Sequence, residues 1–173
     1  MYPDLTFVLG GAASGKSAFA EQLVVSTDKK RTYLATSQVF DDEMQDKVQR
    51  HIAQRGAGWA TVEAPFDLGP ALTNLTQDDI CLIDCATMWL TNHMLAEHDL
   101  EQAQPALLHA VKSCRAPIVI VSNEVGHGIV PENALSRRFR EAQGRLNIAL
   151  AAQADLVVQV TAGLPLVLKG QLP

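Results

Sequence analysis

A glycine-rich segment near the amino terminus constrains the fold of this chain more than any other feature. Residues 10–17, GGAASGKS, match the pattern G-x-x-x-x-G-K-[ST] at each fixed position. The apolar run Leu5–Leu9 precedes the segment, and the helical pattern Lys16–Val25 begins inside it. Small residues let backbone N–H groups turn inward around phosphate oxygens, and the helix N-terminus adds a positive dipole end. We therefore predict a phosphate-binding loop; the alternative is a strand–helix turn with a chance Lys-Ser pair.

Two side chains of this loop and two acidic residues further along the chain are predicted to act together. Lys16 is expected to be catalytic by contacting the β- and γ-phosphates, and the Ser17 hydroxyl is expected to ligate Mg²⁺. Asp84 ends one apolar run, and Glu124 follows another at the equivalent place. Because the carboxyl ends of parallel strands face the ligand crevice, we predict a metal site of Ser17, Asp84 and Glu124. The alternative is that these carboxylates only cap a helix or stabilise a loop.

Short apolar runs alternate with helical patterns along the whole chain. The predicted strands are Leu5–Leu9, Thr32–Ala35, Ile80–Asp84, Ile118–Ser122 and Leu156–Val160. The predicted helices are Lys16–Val25, Asp42–Gln54, Thr87–Ala96, Leu100–Ser113 and Glu132–Gln153. Near-continuous apolar strands suit a parallel sheet covered on both faces, so we predict a doubly wound α/β fold with Leu164–Lys169 as an antiparallel edge hairpin. Neither a repeat nor a long linker divides residues 1–173, which predicts one domain.

Charge and cysteine content exclude several classes of protein. Nineteen acidic residues against fourteen basic ones give a net charge of -5, which argues against a general nucleic-acid-binding protein. The three cysteines, Cys81, Cys85 and Cys114, are too few for a disulfide framework, and buried free thiols are expected. The sequence shows neither a signal peptide nor an apolar run of about 18–20 residues, so we expect a cytoplasmic protein without stable membrane insertion.

One histidine has an unusual setting in the sequence. Lys47, His51 and Arg55 are spaced four residues apart, which places them on one face of the predicted helix. Two flanking cations disfavour protonation of the imidazole between them. A neutral imidazole is a competent nucleophile toward phosphorus and forms a phosphoramidate. On spacing alone, a lone helical histidine is more often an ordinary surface residue.

Six stretches taken together are similar to one known family. In chain order they are GGAASGKS, YLATSQVFDDEM, His51 to Arg55 with WATVEAP, DCATMWLTN, SNEVGHGIVPE and RRFREAQGRLN. They resemble the bifunctional adenosylcobinamide kinase / adenosylcobinamide-phosphate guanylyltransferase family of cobalamin biosynthesis, from about Leu9 to Lys169. The resemblance implies a RecA-like P-loop NTPase fold and a homotrimer.

The resemblance also implies two activities and a set of site residues. First, ATP or GTP would phosphorylate the aminopropanol hydroxyl of adenosylcobinamide. Second, GTP would guanylylate His51 with release of pyrophosphate, and GMP would pass to adenosylcobinamide phosphate to give adenosylcobinamide-GDP. The implied nucleotide contacts are Gly10, Gly11, Ala12, Ala13, Ser14, Gly15, Lys16, Ser17, Leu34, Ala35, Thr36, Ile52, Ala53, Gln54, Arg55, Glu63 and Asp84. Mg²⁺ is the implied cofactor.

Three positions depart from the family pattern, and two other functions compete with it. Ala13 stands where the family usually has arginine, Ile148 where it usually has glutamine, and Gly56 where a proline is common. A P-loop kinase for another small alcohol would explain the loop and Asp84 but leaves His51 without a role. A non-catalytic nucleotide-binding module would bind GTP without releasing pyrophosphate. The other helical histidines, His93 and His98 among them, are expected to be surface or packing residues.

Overall fold

The structure is a computed structural model that describes residues 2–38, 49, 52, 53 and 55–173. Its strands are β1 (Leu5–Gly10), β2 (Lys30–Ala35), β3 (Trp59–Glu63), β4 (Asp79–Asp84), β5 (Ile118–Asn123), β6 (Leu156–Thr161) and β7 (Leu164–Lys169). Its helices are α1 (Lys16–Val25), α2 (Gly69–Thr73), α3 (Ala86–Leu95), α4 (Leu100–Ser113) and α5 (Ala134–Gln153). The seven strands form one sheet in the order β3-β2-β4-β5-β1-β6-β7.

The sheet confirms the predicted α/β architecture. Strands β1 to β6 pair in parallel, and only β7 runs antiparallel, alongside β6, as the predicted edge hairpin. Sequence reasoning missed β3 because four of its five residues are exposed at the sheet edge, which leaves no apolar run. It missed α2 because that helix has five residues and begins with Gly69 and Pro70, which are typical of turns. Most of the predicted helix Asp42–Gln54 lies outside the described residues.

The core consists of two apolar layers, one on each face of the sheet. Phe7, Ile83 and Ile120 point to the layer formed with α2, α3, α4 and α5. Their strand neighbours Val8 and Leu82 point to the opposite layer, where α1 packs. Successive strand residues alternate between faces, so covering both faces requires apolar residues at nearly every strand position. This is why the strands read as continuous apolar runs.

The sheet order brings distant parts of the chain to one edge. Gly10 at the end of β1 pairs with Asn123 at the end of β5. Asp84 at the end of β4 pairs with Ala35 at the end of β2 and with Val121 of β5. Four carboxyl ends therefore line the same edge, where α/β proteins bind ligands. Within the described ranges, none of the helices has both the length and the apolar character needed to cross a bilayer.

Candidate active site

Residues 10–17 form the predicted loop between β1 and α1. Ala13 and Gly15 adopt left-handed backbone conformations, with φ of 52° and 92°, and Gly15 is the N-cap of the helix. Lys16 Nζ donates a hydrogen bond to the Gly11 carbonyl oxygen at 3.1 Å. The ammonium group therefore lies against the loop itself, in the position from which it can contact a bound phosphate. The strand–loop–helix context of the motif is confirmed.

The turn between β6 and β7 packs against this loop. The Gly163 N–H donates to the Ser14 carbonyl oxygen at 2.7 Å. A Cβ added at Gly15 would lie 3.0 Å from Gly163 Cα, and one added at Gly10 would lie 2.7 Å from the Val160 carbonyl oxygen. Sequence reasoning missed this contact because the two segments are about 150 residues apart and meet only because β6 pairs with β1.

The two predicted carboxylates lie at the same edge as the loop. The Glu124 N–H donates to the Gly10 carbonyl oxygen at 2.9 Å, which fixes Glu124 next to the start of the loop. Its Oε1 accepts from the Gly126 N–H at 2.5 Å, the loop-stabilising contact that the alternative interpretation describes. Asp84 is half-buried at the end of β4, and its Oδ2 accepts from the Tyr33 hydroxyl at 3.1 Å. The structure thus brings both carboxylates to the sheet edge that carries the loop, while their roles at a metal remain predictions.

The chemistry of these donors fits Mg²⁺. In phosphoryl-transfer sites Mg²⁺ is bound by one or two carboxylates together with substrate phosphates, and does not need an all-protein cage. Over the part of the chain that the structure describes, no group of three or more His, Cys, Asp or Glu side chains forms such a cage. A carboxylate can ligate a cation while it also accepts a hydrogen bond. Ser17 and Asp84 are therefore suitable partners for a nucleotide-bound Mg²⁺.

The end of β2 is held to the end of β4 by polar contacts. The Thr36 hydroxyl donates to the Cys85 carbonyl oxygen at 2.7 Å and accepts from the Cys85 N–H at 2.8 Å. Thr36 and Leu34 are fully buried, so neither side chain is exposed to a nucleotide. Burial and the Asp84 carboxylate raise the pKa of the Cys85 thiol to about 11, which keeps it neutral. Its sulfur caps α3 by accepting from the Met88 N–H.

Asp84 lies beside a cluster of two aromatic rings and one cation, formed by Tyr33, Trp59 and Arg55. The guanidinium carbon of Arg55 is 3.3 Å from the centroid of the Tyr33 ring. Trp59 meets the same ring edge-on, with the centroids 6.3 Å apart. Burial and the neighbouring Asp84 raise the pKa of Tyr33, and Arg55 opposes this only in part. The phenol therefore stays protonated and donates to Asp84.

Comparison with known proteins decides the family. The family model described as cobinamide kinase / cobinamide phosphate guanyltransferase matches residues 6–168. The chain belongs to this family. The bifunctional adenosylcobalamin biosynthesis protein CobP of Pseudomonas aeruginosa is 40% identical over 167 residues, covering 95% of this chain and 96% of that protein. The protein of the same description named CobU, from Salmonella typhimurium, is 41% identical over 181 residues, covering 95% and 99%.

Solved structures with low identity share the fold of this cobinamide kinase / guanyltransferase family member. The RadB recombinase is 16% identical with a TM-score of 0.54, and the match covers 91% of this chain and 74% of that one. An ATPase from the type III secretion system of pathogenic bacteria is 10% identical with a TM-score of 0.55, covering 91% and 51%. The predicted P-loop NTPase fold is confirmed.

The segment that carries the family's histidine is described only in part. His51 and Gln54 lie outside the described residues, so the predicted nucleophile stays a prediction. Ile52 and Ala53 are helical and exposed, and Arg55 is helical and half-buried. Glu63 is exposed at the end of β3, where it pairs with Ala35. Among the predicted contacts of this segment that the structure describes, Arg55 is the one that lies beside Asp84, through Tyr33.

Two of the histidines that the sequence analysis treated as surface or packing residues contact each other. The Nδ1 atoms of His93 and His98 lie 3.1 Å apart, and His93 Nε2 lies 3.3 Å from the Phe66 carbonyl oxygen. His98 lies in the connection after α3 rather than in a helix. The packing role expected for His93 is confirmed, whereas the helical position expected for His98 is wrong. Desolvation lowers the pKa of His93.

A buried polar network joins α5 to the end of β5. The Ser122 hydroxyl donates to Asn147 Oδ1 at 2.7 Å, and Gln143 Nε2 donates to both residues at 2.9 Å. Asn147 Nδ2 in turn donates to the Asn123 carbonyl oxygen at 3.3 Å. These contacts explain why the amide side chains of Gln143 and Asn147, within RRFREAQGRLN, are buried. The two amides fix the end of β5 next to the loop. Ile148, which departs from the family pattern, is 72% exposed and therefore points to solvent.

Proposed function

We propose that this chain catalyses both reactions in its family's description, using one domain and one phosphate-binding edge. The observation that carries the proposal is the joint presence of the Lys16 loop and the Asp84 carboxylate at one sheet edge, in a chain whose family match runs through residues 6–168. In the first reaction ATP or GTP phosphorylates adenosylcobinamide. In the second, GMP is transferred from GTP to adenosylcobinamide phosphate.

In the kinase step, the substrate hydroxyl oxygen attacks the γ-phosphorus and the bond to the β-phosphate oxygen breaks. Such transfer depends on positioning and on stabilising negative charge rather than on a protein nucleophile. Backbone N–H groups of residues 10–17 hold the phosphates, and the Lys16 ammonium stabilises the charge that develops. Ser17, Asp84 and Glu124 are the proposed side chains for Mg²⁺. When bound, this ion would neutralise charge on the phosphate oxygens.

In the guanylyl step, we propose His51 as the nucleophile. Its ring nitrogen attacks the α-phosphorus of GTP, an N–P bond forms, and pyrophosphate leaves. A phosphate oxygen of adenosylcobinamide phosphate then attacks the same phosphorus, the N–P bond breaks, and adenosylcobinamide-GDP forms. Arg55 supports this assignment because it belongs to the same segment and lies beside Asp84 through the Tyr33 ring.

The same proposal covers assembly and location. The edge strands carry exposed apolar side chains, Val62 in β3 and Leu164, Leu166 and Leu168 in β7, which is favourable for contact between copies in the homotrimer that the family resemblance implies. Three free cysteines suit a reducing compartment such as the cytoplasm. Sedimentation of the purified protein measures its mass in solution, and a monomer would contradict the trimer.

Two labels on GTP test the proposed function. With γ-labelled GTP and adenosylcobinamide, the label should appear in adenosylcobinamide phosphate. With α-labelled GTP alone, the protein should acquire an acid-labile, alkali-stable label, as a phosphoramidate requires. The first result without the second would indicate a monofunctional kinase, and GTP binding with neither would indicate a non-catalytic nucleotide-binding module.

A further inference from the structure

One side chain outside the predicted set joins the two parts of the proposed site. Tyr33 of β2 is 9% exposed, with its ring in the layer beneath α1. Its hydroxyl donates to Asp84 Oδ2 at 3.1 Å. Its ring face lies 3.3 Å from the guanidinium carbon of Arg55, which belongs to the segment that carries His51. A single residue therefore touches the carboxylate assigned to the phosphoryl step and the cation assigned to the guanylyl step.

Filling the core does not by itself require the contacts that Tyr33 makes. A phenylalanine would fill the same volume, whereas the tyrosine hydroxyl is placed on a carboxylate at the ligand edge of the sheet. The contact with Arg55 is made by the ring, because the guanidinium carbon lies 3.3 Å from the ring centroid. Arg55 Nε is buried and lacks a hydrogen-bond partner in the described part of the chain. Trp59 packs edge-on against the same ring and restricts its orientation.

We propose that Tyr33 is a positioning residue with two separable roles, an inference that rests on the proposed function. Its hydroxyl orients Asp84 for the phosphoryl step. Its ring face holds Arg55, which follows His51 by four residues in the sequence, for the guanylyl step. Because one role belongs to an oxygen atom and the other to an aromatic ring, different substitutions separate them.

Tyr33→Phe removes the hydroxyl and keeps the ring. A hydrogen bond to a charged group supports roughly a tenfold effect, so kinase kcat should fall about tenfold and half-saturation by Mg²⁺ should shift to higher concentration. Covalent guanylylation should stay within about twofold, since the cation–π contact remains. Tyr33→Leu removes both contacts and should slow guanylylation about tenfold as well. Tyr33→Met replaces the Leu variant if the latter fails to fold.

Tyr2→Phe is the matched control because Tyr2 is the other tyrosine of the chain. Its hydroxyl donates to the Leu23 carbonyl oxygen at 3.3 Å, and its ring packs against the same apolar layer. Removing that hydroxyl should change neither rate. Equal losses in the Tyr2 and Tyr33 variants would show that Tyr33 has a structural role only.

Two further measurements separate positioning from general damage. The affinity for a non-hydrolysable GTP analogue, measured by calorimetry with Mg²⁺ and with EDTA, should show a smaller gain from Mg²⁺ in Tyr33→Phe than in the wild type. In an Asp84→Asn background, Tyr33→Phe should add no further loss of kinase turnover, because the hydroxyl acts through that carboxylate. An unchanged Mg²⁺ gain or full additivity would overturn the role of the hydroxyl.

The outcome for the wild type separates this inference from the proposed function. If wild-type protein acquires no label from α-labelled GTP, the proposed guanylyl step fails whatever the variants do. If the wild type is labelled and Tyr33→Phe and Tyr33→Leu match it in both reactions, the function stands and the role of Tyr33 is wrong. Slower guanylylation in the Leu variant but not in the Phe variant is the result that supports the ring-face role.

Discussion

Substituting the first glycine of the phosphate-binding loop tests how the loop is supported. A Cβ at Gly10 would lie 2.4 Å from Ser14 Oγ, the end of a side chain, and 2.7 Å from the Val160 carbonyl oxygen, about 0.7 Å short of the 3.4 Å at which ordinary contact begins. That carbonyl belongs to β6, which pairs with β1 at this position, so the clash is relieved only by moving a strand. Overpacking of this kind costs about 1–3 kcal/mol.

Gly11→Ala is the matched control for Gly10→Ala. A Cβ at Gly11 would have no atom within 4 Å, and neither glycine has a left-handed φ. Both substitutions restrict the unfolded chain equally, by about 0.4–1 kcal/mol, so this contribution cancels between them. Gly10→Ala should therefore be less stable than Gly11→Ala by about 1–3 kcal/mol. In a thermal scan the midpoint should be lower by about 2–4 °C for each kcal/mol.

Urea unfolding of the nucleotide-free variants, followed by far-UV circular dichroism, measures this difference. The midpoint should fall for Gly10→Ala while the dependence on urea concentration is unchanged, because the same surface is exposed on unfolding. Nucleotide affinity should fall in parallel, since a displaced β6 also displaces the Gly163 contact with the loop. If Gly10→Ala proved as stable as Gly11→Ala, the packing of β6 under the loop would be refuted.

Three further predictions concern named side chains. Lys16→Ala should reduce kinase turnover by at least about a hundredfold without changing the circular dichroism spectrum, because it removes transition-state charge stabilisation rather than packing; near-normal turnover would contradict the loop assignment. Asp84→Asn and Glu124→Gln should each raise the Mg²⁺ concentration needed for half-maximal turnover, and unchanged dependence in both would place the metal elsewhere. Burial lowers the pKa of His93 below its ordinary 6.5, so the unfolded chain binds more protons and stability should fall as the pH drops through 6.5. In His93→Gln that fall, measured by urea unfolding at several pH values, should be smaller; an identical fall would show that other groups cause it.

The strands could be predicted from the sequence where both faces of the sheet are covered. Continuous apolar runs identified β1, β4, β5 and β6 because helices cover both faces of the sheet. The same rule failed at β3. That strand lies at the edge of the sheet, so most of its residues are exposed and they do not form a continuous apolar run. The loop could be predicted because its chemistry requires residues that are adjacent in sequence.

The rest of the site could not be predicted because it depends on strand order. The contact of Gly163 with Ser14 exists because β6 pairs with β1, and a run of apolar residues does not specify its neighbour in the sheet. The contact of Tyr33 with Asp84 also depends on strand order. In the sequence Tyr33 is one apolar residue of a strand, and only the pairing of β2 with β4 places its hydroxyl on Asp84.

The contact between His93 and His98 was missed for a different reason. His93 and His98 are five residues apart, a spacing that does not bring side chains together on one helix. They meet because α3 ends at Leu95 and the chain turns back before α4 begins. Asp84 and Glu124, by contrast, reach the predicted edge because Asp84 ends β4 and Glu124 directly follows β5, two strands that the sequence identified.

The central claim is that a single histidine forms the covalent guanylyl intermediate. The most direct measurement is the intact mass of the protein after treatment with GTP, for the wild type and for His51→Ala. The wild type should gain one GMP and release pyrophosphate, whereas His51→Ala should gain nothing and still convert adenosylcobinamide to its phosphate, because that step needs no protein nucleophile. A GMP-sized increment that persists in His51→Ala would contradict the account and place the nucleophile at another residue.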